Sequence, residues 1–126
     1  MTGHEQLHFT TRVLGAAAAY RLELRQVTQT LRSENGSITN AILLGRVSAG
    51  DRLGVVLDSR LVGNVELISM DAITWEDLDI DDARRGGFGN RFELAYALQR
   101  AGYRFMPLAK YEFYRIQFRW LEEAYA

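Results

Sequence analysis

The segment over residues 111–121 constrains the fold most, because apolar and polar side chains alternate along its length. Large apolar residues occupy one set of alternate positions: Tyr114, Ile116, Phe118 and Trp120. Polar residues occupy the other set: Arg115, Gln117 and Arg119. Since successive side chains of a strand point to opposite faces, this pattern predicts a strand with one apolar face. The fold must therefore contain a sheet.

Shorter patterns predict the other strands. Alternation favours strands over residues 7–9 and 26–32, and residues 53–57 and 61–70 are predicted to form a hairpin. Residues 38–47 fit either a short helix or a strand.

Capping residues and glycines indicate where helices begin and end. Thr10 or Thr11 can begin a helix that runs to about residue 21 or 24, and a second helix is predicted over residues 79–85. Asn90 and Glu93 have the spacing of a capping box, which opens a third helix over residues 91–101. The predicted apolar side of that helix consists of Phe92, Ala95, Leu98 and Ala101.

The helices do not alternate regularly with the strands, which indicates an α+β fold. We expect five or six mostly antiparallel strands that curl into a small barrel, with two or three flanking helices. The 126 residues correspond to a single domain. The chain has no cysteine, which excludes disulfides and cysteine nucleophiles. It shows neither a signal peptide nor a membrane-spanning segment, so we expect a cytoplasmic protein without a membrane partner.

Charge and metal-ligand patterns exclude several functions. The net charge of −1 is not that of a polycationic nucleic-acid clamp. His4 and His8 have no evident third ligand nearby, and the acidic run over residues 71–82 does not match a calcium loop and is interpreted as solvated, helix-capping acids. The glycines over residues 86–89 follow a helix and lack a Walker lysine, so they are interpreted as a helix stop. The sequence predicts neither a metal nor another cofactor.

The strand over residues 26–32 carries the main candidate site. Thr28, Thr30 and Arg32 alternate along it and would present two hydroxyls and a guanidinium in a row. Such a row can bind a phosphate, a carboxylate or the edge of a base, although a solvated strand face has the same pattern. A stacking platform for a base could come from one of four tyrosines, among which the sequence does not choose: Tyr20, Tyr103, Tyr111 and Tyr114.

Several segments, taken in order, resemble the ASCH domains of the PUA-like superfamily. The resemblance rests on Thr-Gln-Thr-Leu-Arg at residues 28–32, Gly-Asp at 50–51, the hairpin, Asp-Ala and Gly-Phe within residues 82–88, and the final aromatic strand. It spans about residues 7–121. It implies a small β-barrel with a cleft beside the Thr-x-Thr-x-Arg strand. The family is thought to bind RNA or nucleosides, and some bacterial members are acetylcytidine amidohydrolases or ribonucleases.

The chain departs from the family pattern at positions that matter for catalysis. Arg25 stands where the motif has glycine, and Val27 stands where the amidohydrolases have a lysine thought to activate a nucleophilic threonine. The carboxylate of those enzymes aligns near Gly86. Thr30 is the remaining candidate for a catalytic group, and the single lysine, Lys110, lies just before the last strand.

The leading hypothesis is therefore a domain that binds RNA or a nucleotide-like ligand, without lysine-dependent hydrolysis. Its predicted binding residues are Thr28, Thr30, Arg32, Arg25, Arg46 and Arg52. One alternative is a hydrolase acting on a modified nucleoside or on RNA, with Glu66 or an acid of residues 76–82 as the base. Another is an interaction protein whose pocket is filled by Val27 and Arg25. The sequence does not indicate the oligomeric state.

Overall fold

Five strands form one curled sheet with the character of a half-barrel, in a computed structural model that describes residues 5–103 and 107–122. The strands are β1 (Gln6–Phe9), β2 (Gln29–Arg32), β3 (Arg52–Leu57), β4 (Arg60–Thr74) and β5 (Glu112–Trp120). Their order across the sheet is β1-β3-β4-β5-β2, so β1 and β2 are the two edges. The β1–β3 pair is parallel and the other three pairs are antiparallel. The predicted α+β class and mostly antiparallel sheet are confirmed.

The described residues contain more helices than the two or three expected. They are α1 (Thr11–Leu14), α2 (Ala16–Glu23), α3 (Ser37–Leu43), α4 (Ile80–Arg85) and α5 (Arg91–Arg100). Gly15, with a φ of 84°, divides the first predicted helix in two, and the ambiguous residues 38–47 contribute most of α3. No helix within the described ranges has the length and apolar composition needed to cross a membrane.

The predicted apolar side of α5 is partly wrong. Phe92 is 75% exposed, and the residues that α5 buries are Leu94, Ala97 and Leu98. Asn90 caps the helix by accepting a hydrogen bond from the Glu93 main-chain nitrogen, as its position predicts. The helix places positions 94, 97 and 98 against the core, because positions 97 and 98 follow position 94 by three and four residues and so lie on the same side of the helix.

The core consists of two clusters, and β5 contributes to both. Ile116 and Phe118 pack in the first cluster, together with residues of β1, α2, α3, β3 and β4. Phe113 packs in the second, beneath α4 and α5. Because alternate side chains of β5 face opposite sides, Arg115 and Gln117 lie on the same face as Phe113 and are half-buried. Both faces of β5 are therefore covered, and the face beneath α4 and α5 carries polar side chains as well as Phe113.

Gly87 holds a turn that a larger residue would disrupt. Its φ is 95°, and a Cβ built on it would lie 2.8 Å from Val27 Cγ2, in the core. We expect Gly87→Ala to lower the free energy of unfolding by about 2 to 4 kcal/mol, since left-handed backbone strain and overpacking add. Gly45→Ala is the matched control, because Gly45 has a φ of 78° but no atom within 4 Å of such a Cβ. Equal losses in urea unfolding of the two variants would contradict this assignment.

Candidate functional site

A cavity of about 230 Å³ lies where the two edge strands of the half-barrel approach each other. Residues 8–10 at the end of β1 and all of β2 line it, and apolar side chains of α1 and α5 complete its walls. Three aromatic residues also line the cavity: Phe9, Phe88 and Tyr103. We call this space the β1–β2 cavity. Its presence argues against the alternative in which Val27 and Arg25 fill the pocket, since neither residue lines it.

Arg32 is the one arginine or lysine among the described residues that line the cavity. Its Nε donates to Thr30 Oγ1 at 3.1 Å, and its Nη2 donates to the main-chain oxygen of His8 at 2.9 Å. The guanidinium also lies 4.8 Å from the centre of the Phe9 ring. The side chain therefore spans the gap between β2 and β1, the strands that the sheet leaves unpaired with each other.

The charge of Arg32 has no acidic partner in the protein as described. Across residues 5–103 and 107–122, the structure shows no ion pair between Arg32 and a carboxylate. Burial lowers the pKa of Arg32 to about 10, and the guanidinium stays protonated at neutral pH. The cavity thus holds a cation whose counter-charge the described chain does not supply.

Tyr103 adds a hydrogen-bonding group to the lining of the cavity. Burial raises the pKa of Tyr103, while a hydrogen bond with Ser33 and the charge of Arg32 act against that shift. The phenol is therefore neutral and able to donate at physiological pH. Its ring packs edge-on against Tyr111, with centroids 4.8 Å apart. Of the four tyrosines that the sequence left open, Tyr103 is the one that lines the cavity.

A buried polar network forms one side of the cavity, and the sequence did not reveal it. Asp82 is 3% exposed, and its Oδ1 accepts hydrogen bonds from Gln29 Nε2, Arg85 Nη2 and Arg115 Nη1 at 3.1, 2.7 and 3.0 Å. Its Oδ2 accepts from the main-chain nitrogen of Asp79. The interpretation of Asp82 as a solvated acid is wrong, although the capping box that it forms with Asp79 is present.

The network continues on both sides of Asp82. The Oε1 of Gln29 accepts from Arg85 Nε and from Gln117 Nε2, both at 3.0 Å, and Arg115 also pairs with Asp71. Burial raises the pKa of Asp82, but these donors together outweigh it and hold that pKa well below its ordinary value of 3.8. The hydrogen bonds to Asp71 and Asp82 raise the pKa of Arg115 despite its partial burial. These donors favour the ionised form of Asp82, and a carboxylate with a lowered pKa is a weak base.

The depressed pKa of Asp82 predicts a loss of stability in acid. The ionised carboxylate stabilises the fold. This stabilisation is complete at pH values above 3.8, the ordinary pKa that applies in the unfolded chain, and it is lost as the pH falls toward the lower pKa of the folded protein. We expect urea unfolding to show a free energy that declines below about pH 4. The decline should be shallower in Asp82→Asn, and an equally steep decline in both proteins would contradict this role.

The structure brings only part of the predicted site together. Thr30 and Arg32 line the cavity; Thr28 does not, and its main-chain nitrogen donates to the Arg85 carbonyl at 2.8 Å. Arg25 lies against Trp120, with the guanidinium carbon 5.7 Å from the ring centre. Arg46 pairs with Glu5 at 3.8 Å.

The structure also places the other candidate positions relative to the cavity. Arg52, opposite Glu66 in the hairpin, does not line it. Lys110 does not line it either, whereas Gly86 does. His8 lines it, and His4 lies outside the described residues. Within the described ranges, no three histidine or acidic side chains are grouped in a way that could hold a metal ion.

Comparison with known proteins bears on the fold alone. No protein-family model matches the sequence, and no curated protein matches it significantly. The crystal structure of protein EF3133 from Enterococcus faecalis, described with the family model DUF984, is similar to this chain. The TM-score is 0.64 at 10% sequence identity, and the match covers 96% of this chain and 82% of that one. The match supports the α+β architecture with its curled, half-barrel sheet.

Proposed function

We propose that this chain is an ASCH-like domain that binds a nucleotide-like ligand, free or as one nucleotide of an RNA, in the β1–β2 cavity. The observation that carries the proposal is the position of Arg32, a partly buried cation with no carboxylate partner among the described residues. A buried charge without a partner is costly, and a phosphate on the ligand would supply the missing anion. The cytoplasmic location expected from the sequence is compatible with such a ligand.

The size and the walls of the cavity favour a single flat group. Its volume of about 230 Å³ lies below the roughly 300–1,000 Å³ of sites for drug-sized ligands. One nucleoside-sized group therefore suits it better than a base pair or a duplex. Phe9, Phe88 and Tyr103 supply aromatic surfaces, and the hydroxyls of Thr30 and Tyr103 supply polar contacts.

Binding is better supported than hydrolysis. Thr30 Oγ1 accepts a hydrogen bond from Arg32, and no carboxylate in the described part of the chain hydrogen-bonds with Thr30. Asp82 is the one described acid that lines the cavity, and its oxygens are occupied by the buried network. A threonine nucleophile needs an adjacent base, and neither Asp82 nor Lys110 is placed to act as one.

Calorimetric titration with matched ligands tests the proposal. We expect a nucleoside monophosphate to bind about ten- to a hundredfold more tightly than its nucleoside, because a hydrogen bond to a charged group contributes about 1.5–3 kcal/mol. Single-stranded RNA should bind and duplex RNA should not, and acetylated cytidine should be recovered unchanged. Equal affinity for nucleoside and monophosphate, or no binding of either, would contradict the proposal.

A further inference from the structure

A second concavity shares two of its lining residues with the β1–β2 cavity. These shared wall residues are Leu14 and Phe88. The second space has a volume of about 190 Å³ and is bounded by residues 15–18 at the start of α2 and by Gly87. The polar side chains that line it are Arg21, Glu93, Tyr96 and Arg100. We call it the arginine cleft.

The two arginines of the cleft are bound only by neutral groups. Arg21 Nη1 donates to the Gly87 main-chain oxygen at 2.7 Å. Arg100 donates from Nε to the Val13 oxygen at 2.8 Å and from Nη2 to the Leu14 oxygen at 3.3 Å. The structure shows no ion pair of either arginine with a carboxylate of the described chain. These bonds fix the two guanidiniums at the cleft, where they outnumber the one described carboxylate of the lining, that of Glu93.

The other two polar residues of the cleft are Glu93, whose carboxylate is hydrogen-bonded, and Tyr96, whose ring is exposed. Glu93 is the one described acid in the lining, and its carboxylate accepts a hydrogen bond from the Gly89 main-chain nitrogen. Tyr96 stands one turn before Arg100 on α5 and is 58% exposed. An exposed ring beside two arginines is the combination by which proteins hold single-stranded nucleic acid, with the ring stacking on a base and the cations on the backbone.

We propose that the arginine cleft binds the sugar-phosphate backbone of a single-stranded RNA whose adjacent nucleotide occupies the β1–β2 cavity, with Tyr96 stacking on the next base. The inference rests on the proposed function, because it requires a nucleotide in the cavity. Two observations support the inference. The charge of the cleft complements that of a phosphodiester, and the two spaces share a wall. The RNA strand would pass over Leu14 and Phe88, and Arg21 and Arg100 would contact the phosphates.

A comparison of ligand lengths tests this path. The probes are one nucleoside monophosphate and single-stranded tri- and hexanucleotides of the same base. We expect Tyr96→Ala to weaken binding of the hexanucleotide about five- to a hundredfold and to leave binding of the monophosphate unchanged. We expect Arg21→Gln and Arg100→Gln each to reduce the slope of log K against log salt by about 0.7 for the hexanucleotide.

Two matched variants on neighbouring surfaces serve as controls. Phe92→Ala removes a more exposed aromatic ring one turn earlier on α5, and Arg84→Gln removes an exposed charge on α4; neither residue lines the cleft. Thermal unfolding of each variant checks that it is folded. If the monophosphate binds and the cleft variants bind the hexanucleotide as tightly as wild type does, the inference is overturned. If wild type binds neither probe, it is the proposed function that fails.

Discussion

Replacing Asp82 with asparagine is expected to lower the free energy of unfolding by about 3 kcal/mol. The carboxylate lies at the centre of the buried network, where it receives donors from β2, α4 and β5. Removing the carboxylate leaves Arg85 without the acid that it pairs with and leaves Arg115 with Asp71 alone, which costs more than the loss of an average hydrogen bond. For a chain of this length, the melting temperature should fall by roughly 10 °C.

The measurement is urea unfolding at pH 7 of Asp82→Asn beside a matched variant. Asp81→Asn changes the neighbouring, exposed carboxylate of the same helix turn, and a surface change of that kind usually alters stability by less than about 0.5 kcal/mol. If the two variants lose the same amount of stability, the network does not anchor α4 to the sheet in the way described.

Replacing Arg32 with glutamine is expected to weaken binding of a nucleoside monophosphate by about ten- to a hundredfold. The variant loses the cation that we assign to the ligand's phosphate and the donors that span β2 and β1. Its stability should change by less than about 1 kcal/mol, because the lost hydrogen bonds are offset by relief from burying a charge without a partner. A large effect on affinity with a small effect on folding is typical of a binding residue rather than a structural one.

Arg46→Gln is the matched control for Arg32→Gln. Arg46 was a candidate phosphate contact in the sequence, but it pairs with Glu5 and does not line the cavity. Its replacement should leave affinity for the monophosphate within about twofold of wild type, since surface ion pairs contribute little. A loss at Arg46 as large as the loss at Arg32 would place the ligand elsewhere.

The sequence predicted the parts of the fold that depend on local pattern. The long alternation over residues 111–121 identified β5, and the turn between residues 57 and 60 identified the hairpin of β3 and β4. Gly15 was not recognised as a break between α1 and α2, because an isolated glycine in a helical pattern is often tolerated. The parallel pairing of β1 with β3 joins residues that are far apart in the chain, so no local sequence pattern predicts it.

In the candidate site, too, the sequence predicted the features that depend on local pattern and missed those that depend on contacts between distant residues. The alternation of Thr30 and Arg32 identified one wall of the cavity, since it follows from strand geometry alone. Asp82 lies 53 residues from Gln29 and 33 from Arg115, so their association depends on how α4 packs against two strands. The alternate polar positions of Arg115 and Gln117, in a strand otherwise rich in apolar residues, were the signal that could have revealed a buried network.

The most direct test of the central claim is an NMR titration of the isotope-labelled protein with a nucleoside monophosphate. We expect the largest shifts at the end of β1, along β2, including the Arg32 side chain, and at Tyr103. The same titration with the nucleoside should move the residues of the aromatic walls but not the Arg32 Nε–H. Shifts centred on Arg25 and Trp120, or no shifts at ligand concentrations that saturate binding, would contradict the claim that Arg32 and the β1–β2 cavity form the ligand site.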